Sequence, residues 1–221
     1  VPPHLDEAAA VPLNKGKIYI SSTSPPSVRK AYFLQFQKDF SRFLKSRSEE
    51  MIPGGHMVLS FLGRTSTDPS MEGSFHTWEF LAKALMSMVS EGRVLEEKID
   101  SFNVPYYAPS VDEVRIEVEQ EGSFVINGLK AFEFEWDADF QSDFVCRIEE
   151  NKHQLSSKGR RVAKSIRAVV ESMFESHFGG DITDDLFMKY AELVDEYSKT
   201  TPMFINLVIS VTRKGLQMFK N

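Results

Sequence analysis

A long helical period runs into a glycine break and then an apolar run of strand length. No other feature of the chain constrains its fold as strongly. Between positions 28 and 51, Phe33, Phe36, Phe40, Phe43, Leu44 and Met51 fall near one helical face, while Arg29, Lys38, Arg42, Lys45 and Glu49 fill the other. This predicts an amphipathic helix of about six turns at 3.6 residues per turn. Pro25 and Pro26 break the chain ahead of it, and Ser27 is the predicted N-cap. "PGG" at 53–55 ends the helix, and "HMVLSFLG" (His56–Gly63) follows as a predicted buried strand. Helix, glycine turn, buried strand is the grammar of an α/β domain with a mostly parallel sheet. The polar loop "RTSTDPSMEGS" would then lie at the carboxyl end of that strand, where open α/β sheets place ligands.

The remaining segments fill in around this unit. "GKIYIS" at 16–21 is a strand candidate. Trp78, Leu81, Ala82, Leu85, Met88 and Val89 predict a second amphipathic helix, closed by Gly92. "KIDSFNVPYYAPS" at 98–110 has neither period and reads as a rigid, aromatic loop. Ser110 and Glu113 have the spacing of a capping box, so a short helix should run to about Glu119. "GSFVINGLKAFEFEW" is strand-like, as a hairpin bent at Asn127 and Gly128 or as one long strand. Its Phe132, Phe134 and Trp136 alternate with Glu133 and Glu135, predicting one buried and one wet face. Positions 137–158 are polar and aperiodic and are expected to be mobile. Val162, Ile166, Val169, Val170, Met173 and His177 share a face of a further helix, stopped at Gly179 and Gly180. Another helix begins near Thr183, and "MFINLVISVTRK" closes the chain as a strand.

The chain has 221 residues, enough for one α/β domain or a domain with a cap. Its net charge of −6 argues against general nucleic-acid binding. Lys158, Arg160, Arg161, Lys164 and Arg167 recur at helical spacing and read as a solvated helix face. The single cysteine, Cys146, can form no internal disulfide and reads as a passive thiol. No run approaches the ~20 apolar residues of a membrane span, and no signal peptide is visible, so a cytoplasmic location is expected. There is no G-x-G-x-x-G, P-loop, CxxC, HExxH or G-x-S-x-G. Composition and spacing alone reach a soluble α/β domain with a ligand site at the strand ends.

Longer motifs say more. "NKGKIYISSTSPPSVRKAYFLQFQKDFSRFLKSRSEEMIPGGHMVLSFLGR", "MVSEGRVLEEKIDSFNVPYYAPSVDEV", "EGSFVINGLKAFE", "IRAVVESMFESHFG" and "FINLVISVTRKG" resemble the second half of plant SABATH methyltransferases. That family uses S-adenosylmethionine (SAM) to methylate salicylate, benzoate, jasmonate, indole-acetate and, in the caffeine branch, xanthine nitrogens. Only 64–76 and 137–158 depart from it. The resemblance implies an α/β fold, the C-terminal half of a Rossmann-like methyltransferase sheet with an α-helical cap, lacking the central cofactor-binding strands. Positions 1–136 and 200–221 would belong to the sheet domain and 137–199 to the mobile loop and cap. The chain opens at "VPP" without an initiator Met, so the family's SAM-binding half is expected to be absent. Such a piece would expose sheet edges, fold poorly or associate, and lack activity by itself.

Several residues carry over by resemblance. Leu62, Thr77, Trp78, Ile166, Val169 and Phe204 match positions of the substrate pocket, and their types would line a flat apolar slot. Asn14, Asp100, Phe102 through its backbone, and Asn103 match a magnesium site. Their oxygens are hard donors suited to Mg²⁺, although the same side chains could equally tie loops together by hydrogen bonds. The implied acceptor is a small carboxylic acid, with a xanthine nitrogen as the alternative; Trp78 leans toward an aromatic acid. No general base is implied, and family members are commonly homodimers. A truncated, non-catalytic relative acting only through association is the contrasting reading.

Overall fold

In the computed structural model, which describes residues 2, 5, 13–70, 73–135, 157–197 and 203–215, the expected long helix is α1, Pro26–Glu50. Its start differs from the expected Ser27 cap. Pro25 is extended, and Pro26 occupies the first turn, where its missing N–H costs nothing. Met51 is extended again, and Gly54 turns the chain at a φ of 81°. Strand β1 (His56–Gly63) follows, then α2 (Gly73–Ser90), α3 (Glu96–Asp100), α4 (Val111–Glu121) and β2 (Phe124–Glu135). Helices α5 (Lys158–Phe178) and α6 (Thr183–Tyr197) are joined by a single 3₁₀ turn, and β3 (Met203–Arg213) ends the order.

The described sheet has three strands in the order β1-β3-β2, and both pairings are antiparallel. The expectation of a mostly parallel sheet is therefore not met among the described residues. The last strand returns between the two earlier ones, with Met57 opposite Val211 and Ala131 opposite Leu207. β1 is not the doubly buried strand predicted from its apolar run: it lies at an edge and alternates, leaving Val58 66% exposed. "GKIYIS" forms no strand. Its Ile18, Tyr19 and Ile20 are buried, but Asn14 Nδ2 donates to the Tyr19 carbonyl at 2.9 Å and Val104 N–H donates to the Ile18 carbonyl at 2.8 Å. Irregular partners replace the ladder there.

β2 is one long strand, with a register shift between Ile126 and Gly128 where a hairpin turn was the alternative. Phe132 and Phe134 are both exposed, as is Glu133 between them, so this end has no buried face among the described residues. Trp136, Cys146 and most of 137–158 lie outside them. The capping box at α4 is present as expected: Glu113 N–H donates to Ser110 Oγ and Ser110 N–H to Glu113 Oε2. No described helix is long and apolar enough to cross a membrane.

The described buried apolar residues separate into two clusters. One joins the inner sheet face (Leu207, Ile209, Val211) to α1 and α4 through Leu44, Val114 and Val118. The other gathers α2, α5 and α6 with the loops at Ile18 and Phe102. In the α5–α6 pair, Gly159 N–H donates to Asp195 Oδ1 at 2.6 Å, and a Cβ at Gly159 would collide with the Ala191 carbonyl and the Asp195 side chain. Arg167, from the predicted basic face, pairs with Glu171 and Asp184. Gly to Ala inside a helix ordinarily stabilises by roughly 0.5–1 kcal/mol. Gly159→Ala is expected to reverse that sign and destabilise by ~1–3 kcal/mol through overpacking, read as a lower urea midpoint.

Candidate functional site

The carboxyl end of β1 delivers Leu62 and then Gly63, whose missing Cβ makes room for the Leu207 side chain and the Pro109 carbonyl. Arg64 follows, with 2% of its side chain exposed. Its backbone N–H donates to the Pro109 carbonyl at 2.9 Å, and Nε donates to the Ser66 carbonyl at 3.0 Å. The guanidinium also reaches the Ala108 carbonyl and pairs with Glu113. It stacks over the Tyr107 ring, 5.1 Å from the centroid, and the Tyr107 hydroxyl donates to Glu113 at 3.0 Å. Burial pulls the Arg64 pKa down, and Tyr107 and Glu113 together more than restore it. The loop 105–110 is thereby fixed against the strand end.

The clamp fixes the wall of a pocket of about 310 Å³. Leu62 comes from β1, Thr77 and Trp78 from α2, Ile166 and Val169 from α5, and Phe204 from β3; all six sequence-derived pocket positions line this one cavity. Val104, Pro105, Tyr106, Val170 and Met173 complete it. The Tyr106 and Trp78 rings lie 5.5 Å apart, and Tyr19 braces both at 5.5 and 6.0 Å. Val170 and Trp78 are buried walls, whereas Val169 is 79% exposed and forms the rim. Among the described residues no charged side chain lines the pocket. Such a site holds a small apolar body and leaves any ionic group of the ligand to the open side.

The completing residues were within reach of the sequence. Val170 and Met173 lie on the apolar face already read for α5, and Pro105 and Tyr106 belong to the aromatic loop at 98–110. Periodicity placed them on a face, but nothing in it separates a pocket wall from core.

The residues of the magnesium reading form a clip between two loops. Asp100 Oδ1 accepts the N–H of Gly16 at 2.7 Å, where the backbone turns at a φ of 68°. Asn14 Oδ1 accepts from Ser24 Oγ at 2.7 Å, while its Nδ2 holds the Tyr19 carbonyl. Asn103 and Phe102 are buried, and the Phe102 ring packs on Phe174 and Phe178 of α5 at 5.1 Å each. Among the described residues no group of three or more His, Cys, Asp or Glu could hold a metal.

The frame is α/β, a three-stranded antiparallel sheet with helices, and the apolar slot lies between β1, β3, α2 and α5. A family model described as SAM dependent carboxyl methyltransferase matches residues 1–214, and the chain belongs to this family. It is 57% identical over 218 residues to a probable jasmonic acid carboxyl methyltransferase 2 of Theobroma cacao, covering 97% of this chain and 57% of that protein. It is 51% identical over 207 residues to the jasmonate O-methyltransferase of Arabidopsis thaliana, covering 91% and 52% respectively. The solved structure of loganic acid methyltransferase with SAH superposes with a TM-score of 0.81 at 30% identity, over 99% of this chain and 58% of that one. The chain thus spans a little over half the length of these relatives.

The Arg64–Glu113 pair generates a prediction. Glu113→Ala would leave a buried cation unpaired and is expected to cost ~3–5 kcal/mol. Glu50→Ala, which breaks the exposed Arg47–Glu50 pair, is expected to cost under ~1 kcal/mol. Denaturant unfolding of both variants measures the contrast.

Proposed function

We propose that this protein serves SAM-dependent methylation of the carboxylate of a small, largely apolar acid, with the pocket around Trp78 as the acceptor site. The observation that carries this reading is the convergence of Leu62, Thr77, Trp78, Ile166, Val169 and Phe204, from four separate elements, on one uncharged cavity. Family membership supplies the reaction class. A carboxylate with a pKa near ~4 is ionised at neutral pH, so it needs no general base, and no side chain of the pocket is suited to be one. What these residues contribute is orientation and the exclusion of water. The apolar walls hold the hydrocarbon body, and the carboxylate is left facing the open side. SAM supplies the methyl group. Among the described residues no acidic side chain lines this pocket to take a nucleoside or an ammonium group, so these residues suit the acceptor and not the cofactor. Residues 137–199 act in this reading as the cap, and 1–136 with 200–221 as the sheet domain.

The test is transfer of labelled methyl from SAM to a panel of small acids, with acceptor binding followed in parallel by calorimetry. Trp78→Ala is expected to weaken acceptor binding by at least about ten-fold, a loss of about 1.4 kcal/mol. Val169→Asp places a like charge at the exposed rim without disturbing the core, and is expected to weaken binding of the anionic acid while melting is unchanged. Acids that bind neither the native protein nor its variants would overturn the reading, and so would equal methylation of xanthines and acids.

For the loop clip we propose weak occupancy by Mg²⁺ through Asn14, Asp100, the Phe102 carbonyl and Asn103. The donor types suit that ion. With one carboxylate, and with Asn14 Oδ1 and Asp100 Oδ1 already accepting protein hydrogen bonds, such a site would rely on water for its remaining ligands. Added Mg²⁺ is expected to raise the melting temperature of the native protein and not that of Asp100→Asn. An unchanged native melt leaves the hydrogen-bonded clip alone.

A further inference from the structure

Tyr19 is not among the residues that line the pocket, yet it touches both of the large rings that do. It is buried. Its ring centroid lies 6.0 Å from Trp78 and 5.5 Å from Tyr106, and those two lie 5.5 Å from each other, so the three rings form a closed triangle. Tyr32 of α1 meets Tyr19 edge-on at 5.2 Å. The backbone at Tyr19 is fixed as well. Its carbonyl accepts from Asn14 Nδ2, and the neighbouring Ile18 carbonyl accepts from the N–H of Val104, two residues before Tyr106. The pocket rings differ in the space around them. Trp78 shares with segment 17–21 a void of only about 10 Å³, which leaves the indole no room to retreat. Pro105 and Tyr106 line a second, open groove of about 340 Å³ against α1 as well as the pocket, so they stand between two cavities. A ring with open space on two sides holds its place only where a packed neighbour braces it.

We propose that Tyr19 is a positioning residue for acceptor shape: it sets where Trp78 and Tyr106 stand, and so holds the pocket to a flat cross-section. The inference rests on the pocket being the acceptor site. Tyr19 acts through the two rings and never meets the ligand. An aromatic side chain suits the task because it is rigid and packs favourably against other rings at these distances. A smaller side chain at 19 leaves a cavity beside both rings, and the walls of a cavity relax partly into it. The indole and the phenol then fall back, and the slot thickens. A flat acid loses contacts in such a slot, and a thick one gains room. Discrimination between acceptors is thereby set in part by a residue behind the pocket, on the segment 16–21 that joins no strand.

The test measures, by calorimetry, the ratio of the dissociation constants of a flat acid, benzoate, and a thick one, adamantane-1-carboxylate. Tyr19→Leu is expected to shift that ratio toward the thick acid by about ten-fold, which is about 1.4 kcal/mol. Tyr19→Met keeps most of the volume without the rigid ring, and is expected to shift it the same way by about three-fold. Tyr19→Phe, which restores the ring, should return the native ratio. Leu44→Ala opens a cavity in the other apolar cluster; it should melt lower than the native protein and leave the ratio unchanged, which separates positioning from a loss of stability. If Tyr19→Leu and Tyr19→Met both keep the native ratio, or Leu44→Ala shifts it as far as they do, the role of Tyr19 is overturned and the acceptor site stands. If the native protein binds neither acid, the acceptor site itself falls, and the role of Tyr19 with it.

Discussion

Arg64 carries a permanent positive charge into a place where almost none of its side chain meets water. A charge so placed must be met on every side, and its partners explain much of the surrounding structure. Glu113 supplies the counter-charge, and the same carboxylate closes the capping box at the start of α4. Tyr107 supplies a ring face and a hydroxyl, and the carbonyls of Ser66 and Ala108 accept from Nε and Nη1. One guanidinium thus joins the end of β1, the 105–110 loop and the first turn of α4. Tyr106 and Pro105 stand next to the clamped Tyr107, so the pocket wall takes its position from an ion pair that never enters the pocket.

The elements legible in the sequence were those whose signals are local. The period of α1, the Ser110–Glu113 spacing and the glycine at 92 act within a few residues, and each element forms where it was read. The misreadings concern partners. "GKIYIS" has strand composition, but β-propensity expresses itself only beside another strand, and here Asn14 and Val104 take its carbonyls instead. The apolar run of β1 fitted a doubly buried parallel strand as well as an edge strand. Which of these it becomes depends on β3, which joins the sheet nearly 150 residues later, with Leu59 opposite Ile209. No local pattern encodes that encounter.

The pocket was legible in a different way. Leu62, Ile166, Val169 and Phe204 are ordinary core types, and periodicity alone would have buried them. Only the family resemblance separated them from core, and the geometry brings them together around one cavity. The neighbours Val169 and Val170 show the limit of a face-level reading. Both line the pocket, yet one is largely exposed at the rim and the other is sealed in the wall.

The segregation of charge has a chemical rationale in the proposed reaction. Methylating a carboxylate consumes an anion, so charge at the acceptor oxygen is smaller in the transition state than in the ground state. A cation placed beside that oxygen would stabilise the bound acid more than the transition state and would slow the step. Arg64 lies one strand end away, fully engaged with Glu113, and Asp100 is turned onto the Gly16 turn. Neither contributes to the lining. Selectivity is then left to the shape of the slot, which recognises an acceptor without holding its reacting charge in place. An uncharged slot meets that requirement, and the charged clamp outside it fixes one of its walls.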